Sequence, residues 1–145
     1  MVDTNIAFSA ILNSSSTIGR ILMSKSSLEF YSCDYLNVEL QKHKSKLLKL
    51  TKLTEAELLE VIRSVTYKVK FINEALIPEK QFRFAEKLIG DVDPDDIPFV
   101  ALTKQLKGKL WTGDKMLSTA LLSRGFTAVR TTQQLWKLVE RDVTK

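Results

Sequence analysis

Residues 93–115 read DPDDIPFVALTKQLKGKLWTGDK. Asp93 can cap a helix, and Pro94 suits its first position. Phe99, Val100, Leu102 and Leu106 supply that helix with a buried face. KLWT (109–112) is short and apolar and reads as a strand, after which Asp114 or Gly113 opens a further helix. Helix, strand and helix in succession are the building unit of an α/β fold.

The same alternation continues in both directions. Toward the C-terminus the helix after Asp114 runs to Arg124 and Gly125 ends it. FTAVR (126–130) is a last strand, and Thr131 or Thr132 caps a terminal helix to about Arg141. Toward the N-terminus, Pro78 to Ile89 is a helix with Gly90 suited to its C′ position. TYKVKFI (66–72) alternates and is a strand. Thr54-Glu55-Ala56-Glu57 has the capping-box form and opens a helix to about Ser64. A long helical pattern starts at Asp34, with Leu36, Leu40, Leu47, Leu50 and Leu53 on one stripe and His43 filling the gap. LEFYSC (28–33) is an apolar strand. Ser16 or Thr17 caps a helix to about Lys25, and Ile6 to Leu12 forms a short helical turn. Met1-Val2 is the stub of a strand leading into Asp3. Short strands alternating with longer helices predict a parallel sheet covered on both faces.

The chain of 145 residues fits a single domain, 1–145, with an ordinary apolar share of 44%. No apolar run approaches the ~18 residues of a membrane span. The opening MVDTNIAFSAIL has no basic stretch and an early Asp, unlike a signal peptide. Cys33 is the only cysteine, which excludes an internal disulfide and a cysteine-rich zinc site and fits a cytoplasmic protein. The net charge of +5 permits an anionic partner such as nucleic acid.

In parallel α/β folds ligands bind outside the carboxyl ends of the strands. Several acids fall there. Asp3 follows the first strand, Glu39 lies one turn into the helix after the second, Asp93 to Asp96 open a helix, and Asp114 follows KLWT. Singly, each has a plain reading as a turn former, a solvated acid or a helix cap. Jointly they oppose one another: two charges about 4 Å apart repel by about 4 kcal/mol at an effective dielectric near 20. A hard divalent cation, Mg²⁺ or Mn²⁺, relieves such a cluster. A cation held in an open acidic site suits phosphoryl chemistry.

VDTNI (2–6), Glu39 in LNVELQKHKSKL, DPDDIPFVALT (93–103) and LWTGDK (110–115), in that order, resemble a PIN-domain nuclease over nearly the whole chain. The resemblance implies a three-layer α/β/α sandwich around a central parallel sheet of four or five strands. It implies a Mg²⁺- or Mn²⁺-dependent endoribonuclease acting on single-stranded RNA. By position, Asp3, Glu39, Asp96 and Asp114 match the four acids of the family, with Asp95 the other candidate for the third. Asn5 and Thr112 match the usual polar neighbours, and Asp93 is auxiliary. Asp3, Asp96 and Asp114 would hold the metal, and Glu39 would complete the site or orient water. Small stand-alone members resemble toxins of toxin–antitoxin pairs, which are inhibited by a small protein and are often homodimers. The family has a full apolar strand before its first acid, where this chain has Met1 and Val2. A short first strand, or a chain that begins late, is expected. The rival reading is a PIN-like module that binds RNA or protein without catalysis.

Lys42, Lys46 and Lys49 step along the helix of Glu39 and form a basic stripe suited to phosphates. His43 reads as a boundary or core residue, Trp111 as core, and Trp136 as core or a dimer contact. Tyr31, Tyr35 and Phe30 read as packing residues.

Overall fold

A computed structural model describes residues 1–143. Helices dominate: α1 (Thr4–Leu12), α2 (Thr17–Leu22), α3 (Tyr35–Lys42), α4 (Lys44–Thr51), α5 (Glu55–Thr66), α6 (Glu79–Ile89), α7 (Ile97–Leu106), α8 (Lys115–Ser123) and α9 (Thr132–Val143). The strands are short: β1 (Phe30–Cys33), β2 (Val69–Ile72), β3 (Leu110–Trp111) and β4 (Val129–Arg130). Single 3-10 turns at Glu74–Leu76 and Pro94–Asp96 precede α6 and α7. None of the described helices is long and apolar enough to cross a membrane.

All strand pairs are parallel, as the alternation requires. β1 pairs with β2 from Phe30 opposite Val69 to Cys33 opposite Ile72, and β3 pairs with β4 at Leu110 and Trp111. These are two two-stranded sheets, not one continuous central sheet of four or five strands. Residues 1 and 2 stand between them. The Val2 amide donates to the Tyr31 carbonyl at 2.8 Å, and the Trp111 amide donates to the Met1 carbonyl at 2.8 Å. Val2 thus bridges β1 and β3 through a single residue, in parallel register with Trp111.

Local chemistry shortens the strands below their sequence expectation. Before β4 the Val129 amide turns back to the Thr127 carbonyl at 2.8 Å, so FTAVR is strand only at its end. After Trp111 the Thr112 hydroxyl takes the Asp114 amide at 3.1 Å, which closes a turn and removes Thr112 from β3. The first residue of TYKVKFI belongs to α5, where the Thr66 hydroxyl bonds back to the Ile62 carbonyl.

The helix expected from Asp34 is two helices. His43 leaves helical geometry at φ −105° and ψ 16°. Leu36, Leu40 and Leu47 are buried, whereas Leu50 is 55% exposed. Leu106, expected on the buried face of α7, is also exposed, being the last residue before the helix ends. The capping box at Thr54 and Glu57 is present with both of its bonds. Gly125, at φ +86°, ends α8 in the left-handed region that glycine adopts without penalty.

Val2, Ile6, Leu36, Phe99, Leu102, Leu110, Trp111 and Leu117 are buried together at the centre. Each such side chain contributes about 1.5–3 kcal/mol by leaving water. This packing fixes the starts of α1, α7 and α8 relative to the strands, and the acids stand at those starts.

Candidate metal centre

Asp3 follows directly on Val2 and caps α1, its Oδ1 accepting from the Ile6 amide at 2.9 Å. Its Oδ2 is buried without a hydrogen-bond partner, as is the Thr4 hydroxyl beside it. A buried polar atom left unpaired costs about 1–3 kcal/mol, and more when charged. Asp114 caps α8 through the Leu117 amide at 3.1 Å, and its own amide is held by Thr112. Asp93 caps the turn at Pro94, accepting from the Asp95 amide at 3.0 Å. The helix-cap reading of these acids is therefore correct as far as it goes. A cap engages one oxygen and leaves the other free.

Asp96 differs. It stands between the turn and α7 and makes no capping bond with its side chain. Asp93, Asp96 and Asp114 each present a carboxylate oxygen, and these atoms lie within 4.8 Å of one another. The starts of α7 and α8 therefore bring acids distant in sequence to one place, with Asp3 at the start of α1 outside the three. Asp93, auxiliary by sequence, is a member of this group.

The electrostatics follow from burial. Asp3 is 1% exposed, and loss of water lifts its carboxyl to about 6, the Asp114 charge adding to the rise. The Ile6 amide and the nearby Thr112 hydroxyl offset this only in part. Asp96 is raised as well, by burial first and then by the charges of Asp3, Asp93 and Asp114. Without a cation, these carboxylates oppose one another's ionisation. All the donors are hard oxygens, two of them acids held above their ordinary range, and Asp3 keeps an unpaired oxygen. That set fits a hard divalent cation.

The group opens into a cleft of about 620 Å³. Glu39, 8% exposed on α3, lines the cleft but stands outside the three-acid group. Its Oε2 is 3.6 Å from the His43 Nε2. Exposed Asn5 lines the cleft, whereas Asp3 and Thr112 are buried and are not in its lining. Of the three lysines, Lys46 lines it; Lys42 and Lys49 are exposed and do not. His43 is a boundary residue on the cleft wall, with its ring edge-on to Phe8 at 5.5 Å.

Tyr35, a packing residue by sequence, has a second role. Its hydroxyl donates to Asp95 at 3.5 Å, and burial followed by the Glu39 carboxylate raises it to about 12. It stays protonated between two acids. The signal for this in the sequence is its place beside Asp34, at the end of an apolar strand. Asp95 is exposed and bonded to Tyr35, and Asp96 is the acid drawn into the group.

A family model described as PIN domain matches residues 1–138. No curated protein and no solved structure matches the chain.

Proposed function

Because this chain belongs to the PIN-domain family, we propose that it is a Mg²⁺- or Mn²⁺-dependent endoribonuclease that cuts single-stranded RNA, and that it acts in the cytoplasm as the toxin of a toxin–antitoxin pair. One observation carries the enzymatic part: Asp93, Asp96 and Asp114 bring carboxylate oxygens within 4.8 Å of one another, beside a cleft.

Asp93, Asp96 and Asp114 would hold the cation, with the free Oδ2 of Asp3 beside them. The cation supplies polarisation of the phosphate and neutralises the charge that develops on it. Asp3 fixes the start of α1 through the Ile6 amide, and Thr112 fixes the start of α8 through the Asp114 amide. Glu39 orients a water on the cleft wall and takes its proton. The water oxygen bonds to phosphorus as the bond from phosphorus to the 3′ oxygen breaks. The 3′ oxygen leaves and takes a proton from solvent in the cleft, giving 5′-phosphate and 3′-hydroxyl ends. Asn5 and Lys46 on the cleft wall contact the RNA strand, and Lys42 and Lys49 meet phosphates farther out. Partners on the same reading are a small inhibitory protein and a second copy of the chain.

The test is incubation of the purified chain with mixed single-stranded RNAs and Mn²⁺ or Mg²⁺, beside Asp96→Asn and Asp114→Asn variants. Cleavage by the parent and loss in both variants is the expected result. Equal cleavage by all three sinks the site assignment. No cleavage with any metal leaves the chain a binding module.

A further inference from the structure

A second cleft, of about 700 Å³, has no part in that reading. It lies at the far end of α7, along α6 and among the end of α8 and the segments leading into β3 and β4. Lys80, Lys104, Lys107 and Lys109 line it, and no Asp or Glu does. None of these four ammonium groups has a carboxylate partner among the described residues. Arg124 also lines the cleft but is occupied by Asp91, through bonds of 2.7 and 3.0 Å.

Helix dipoles account for some of these lysines and not for others. Lys104 and Lys107 stand at the C-terminal end of α7, where a cation is favoured. Lys80 stands in the first turn of α6, where a cation is disfavoured. Lys109 precedes a strand and has no such support. Lys107 is also held at φ 54°, in the left-handed region where glycine is the ordinary occupant. It is the C′ residue of a Schellman ending: its amide donates to the Lys104 carbonyl, and the Gly108 amide donates to the Thr103 carbonyl at 3.1 Å. A lysine there gains charge at the expense of backbone ease. Lys104 is placed over the Phe84 ring, 4.8 Å from its centroid, which limits the freedom it must lose on binding.

We propose that this cleft binds the sugar–phosphate backbone of single-stranded RNA, at a site separate from the acidic centre. The choice of RNA rests on the cleavage reading, because α7 links the two places. Its ten residues separate Asp96 from the lysines by about 15 Å. A strand with one phosphate at the acids carries further phosphates along that distance. Lysines suit this ligand because backbone phosphates are read as charge, without sequence.

Binding is measured in EDTA, so that failure of the cleavage reading does not affect it. The probes are a fluorescent long oligouridylate and one of only a few nucleotides, followed by anisotropy across a salt series. Two variants are compared with the parent: Lys107→Gly, and a combined Lys80→Gln, Lys104→Gln, Lys109→Gln chain. The combined variant is expected to bind the long RNA at least about tenfold more weakly, with a salt slope shallower by about 0.7 for each phosphate it no longer neutralises. The short RNA is expected to lose less, because it does not span the distance between the acids and this cleft. Lys107→Gly is expected to weaken long-RNA binding while its Tm is unchanged or raised, an outcome a structural role for Lys107 would reverse. Unchanged affinity and slope in both variants overturn the proposal. So does displacement of the RNA from the parent by polyglutamate at equal charge, which assigns the cleft to an acidic polypeptide.

Discussion

At its N-terminal end α7 meets three carboxylates within 4.8 Å of one another; at its C-terminal end it meets four lysines and no acid. The chain's excess of positive charge is thus not spread evenly over this helix. The two ends also differ in burial, and burial decides what each costs. Asp96 is 9% exposed and Asp3, behind it, 1%, so their charges act at low dielectric and oppose one another. Lys80, Lys104, Lys107 and Lys109 are exposed, so water screens them. The acidic end is unfavourable until it is filled by a cation, whereas the basic end is tolerable while empty. Substitutions at the first are expected to move both activity and stability, and at the second chiefly the salt dependence of binding.

The largest effect is expected at Asp96 and Asp114. Replacing either by Asn removes a charged oxygen from the three-acid group while nearly keeping its shape. Loss of an outer partner of a metal ligand already costs about 10–100-fold, so loss of a ligand should lower cleavage by on the order of 100-fold or more. Glu39→Gln tests the group's boundary: it should slow cleavage with little change in Mn²⁺ affinity, since Glu39 lies outside the three. A metal titration by calorimetry separates the two kinds of variant.

Next comes a dependence on pH with opposite signs with and without cation. In EDTA, the folded carboxyl of Asp3 sits at about 6, above its ordinary 3.8. Its contribution to stability is complete below about pH 4 and is lost as pH rises through 6, and raised Asp96 acts in the same direction. That rise at Asp3 corresponds to about 3 kcal/mol. Urea melts should therefore show the metal-free chain weakening between pH 5 and 8, with Mn²⁺ stabilising it most at the upper end. Asp3→Asn keeps an oxygen for the Ile6 amide and removes the charge. It should be more stable than the parent at pH 8 in EDTA, and Mn²⁺ should then stabilise it less. A parent whose stability in EDTA rises over this interval contradicts the account.

Much of the acidic end is legible in local sequence pattern. Helix caps, a proline at N1 and apolar spacing are local, and they locate the starts of α1, α7 and α8, where Asp3, Asp96 and Asp114 stand. Convergence is not local, so by sequence Asp93 is auxiliary and Glu39 a full member of the group. The strands are shorter than their composition predicts for a similar reason. Thr112 and Thr127 divert hydrogen bonds into turns, and strand propensity does not register that diversion. The break at His43 has no local signal because its neighbours on either side are good helix formers, and beyond it Leu47 stays buried while Leu50 does not. The basic cleft is not legible either, because its lysines come from α6, α7 and the lead into β3, with no spacing to connect them. The stripe of Lys42, Lys46 and Lys49 stands out by contrast because its spacing is regular.

The smallest effect compares two lysines of α4, both beyond the break at His43. Lys46 lines the acidic cleft and Lys49, three residues on, does not. Lys46→Gln should therefore weaken binding of a short RNA in EDTA and reduce its salt slope by about 0.7, the share of one phosphate contact. Lys49→Gln should leave both unchanged with short RNA. Both side chains are exposed and neither has an ion-pair partner among the described residues, so stability should shift by less than about 0.5 kcal/mol in either variant. Equal losses from the two would mean that α4 presents a continuous charged face to RNA and that the cleft does not single out Lys46. A loss at Lys46 alone would mean that the acidic end of α7 has one cation of its own for the strand. The remaining electrostatic attraction would then have to come from elsewhere, and the lysine cleft at the other end of the same helix is one store of unpaired charge within reach.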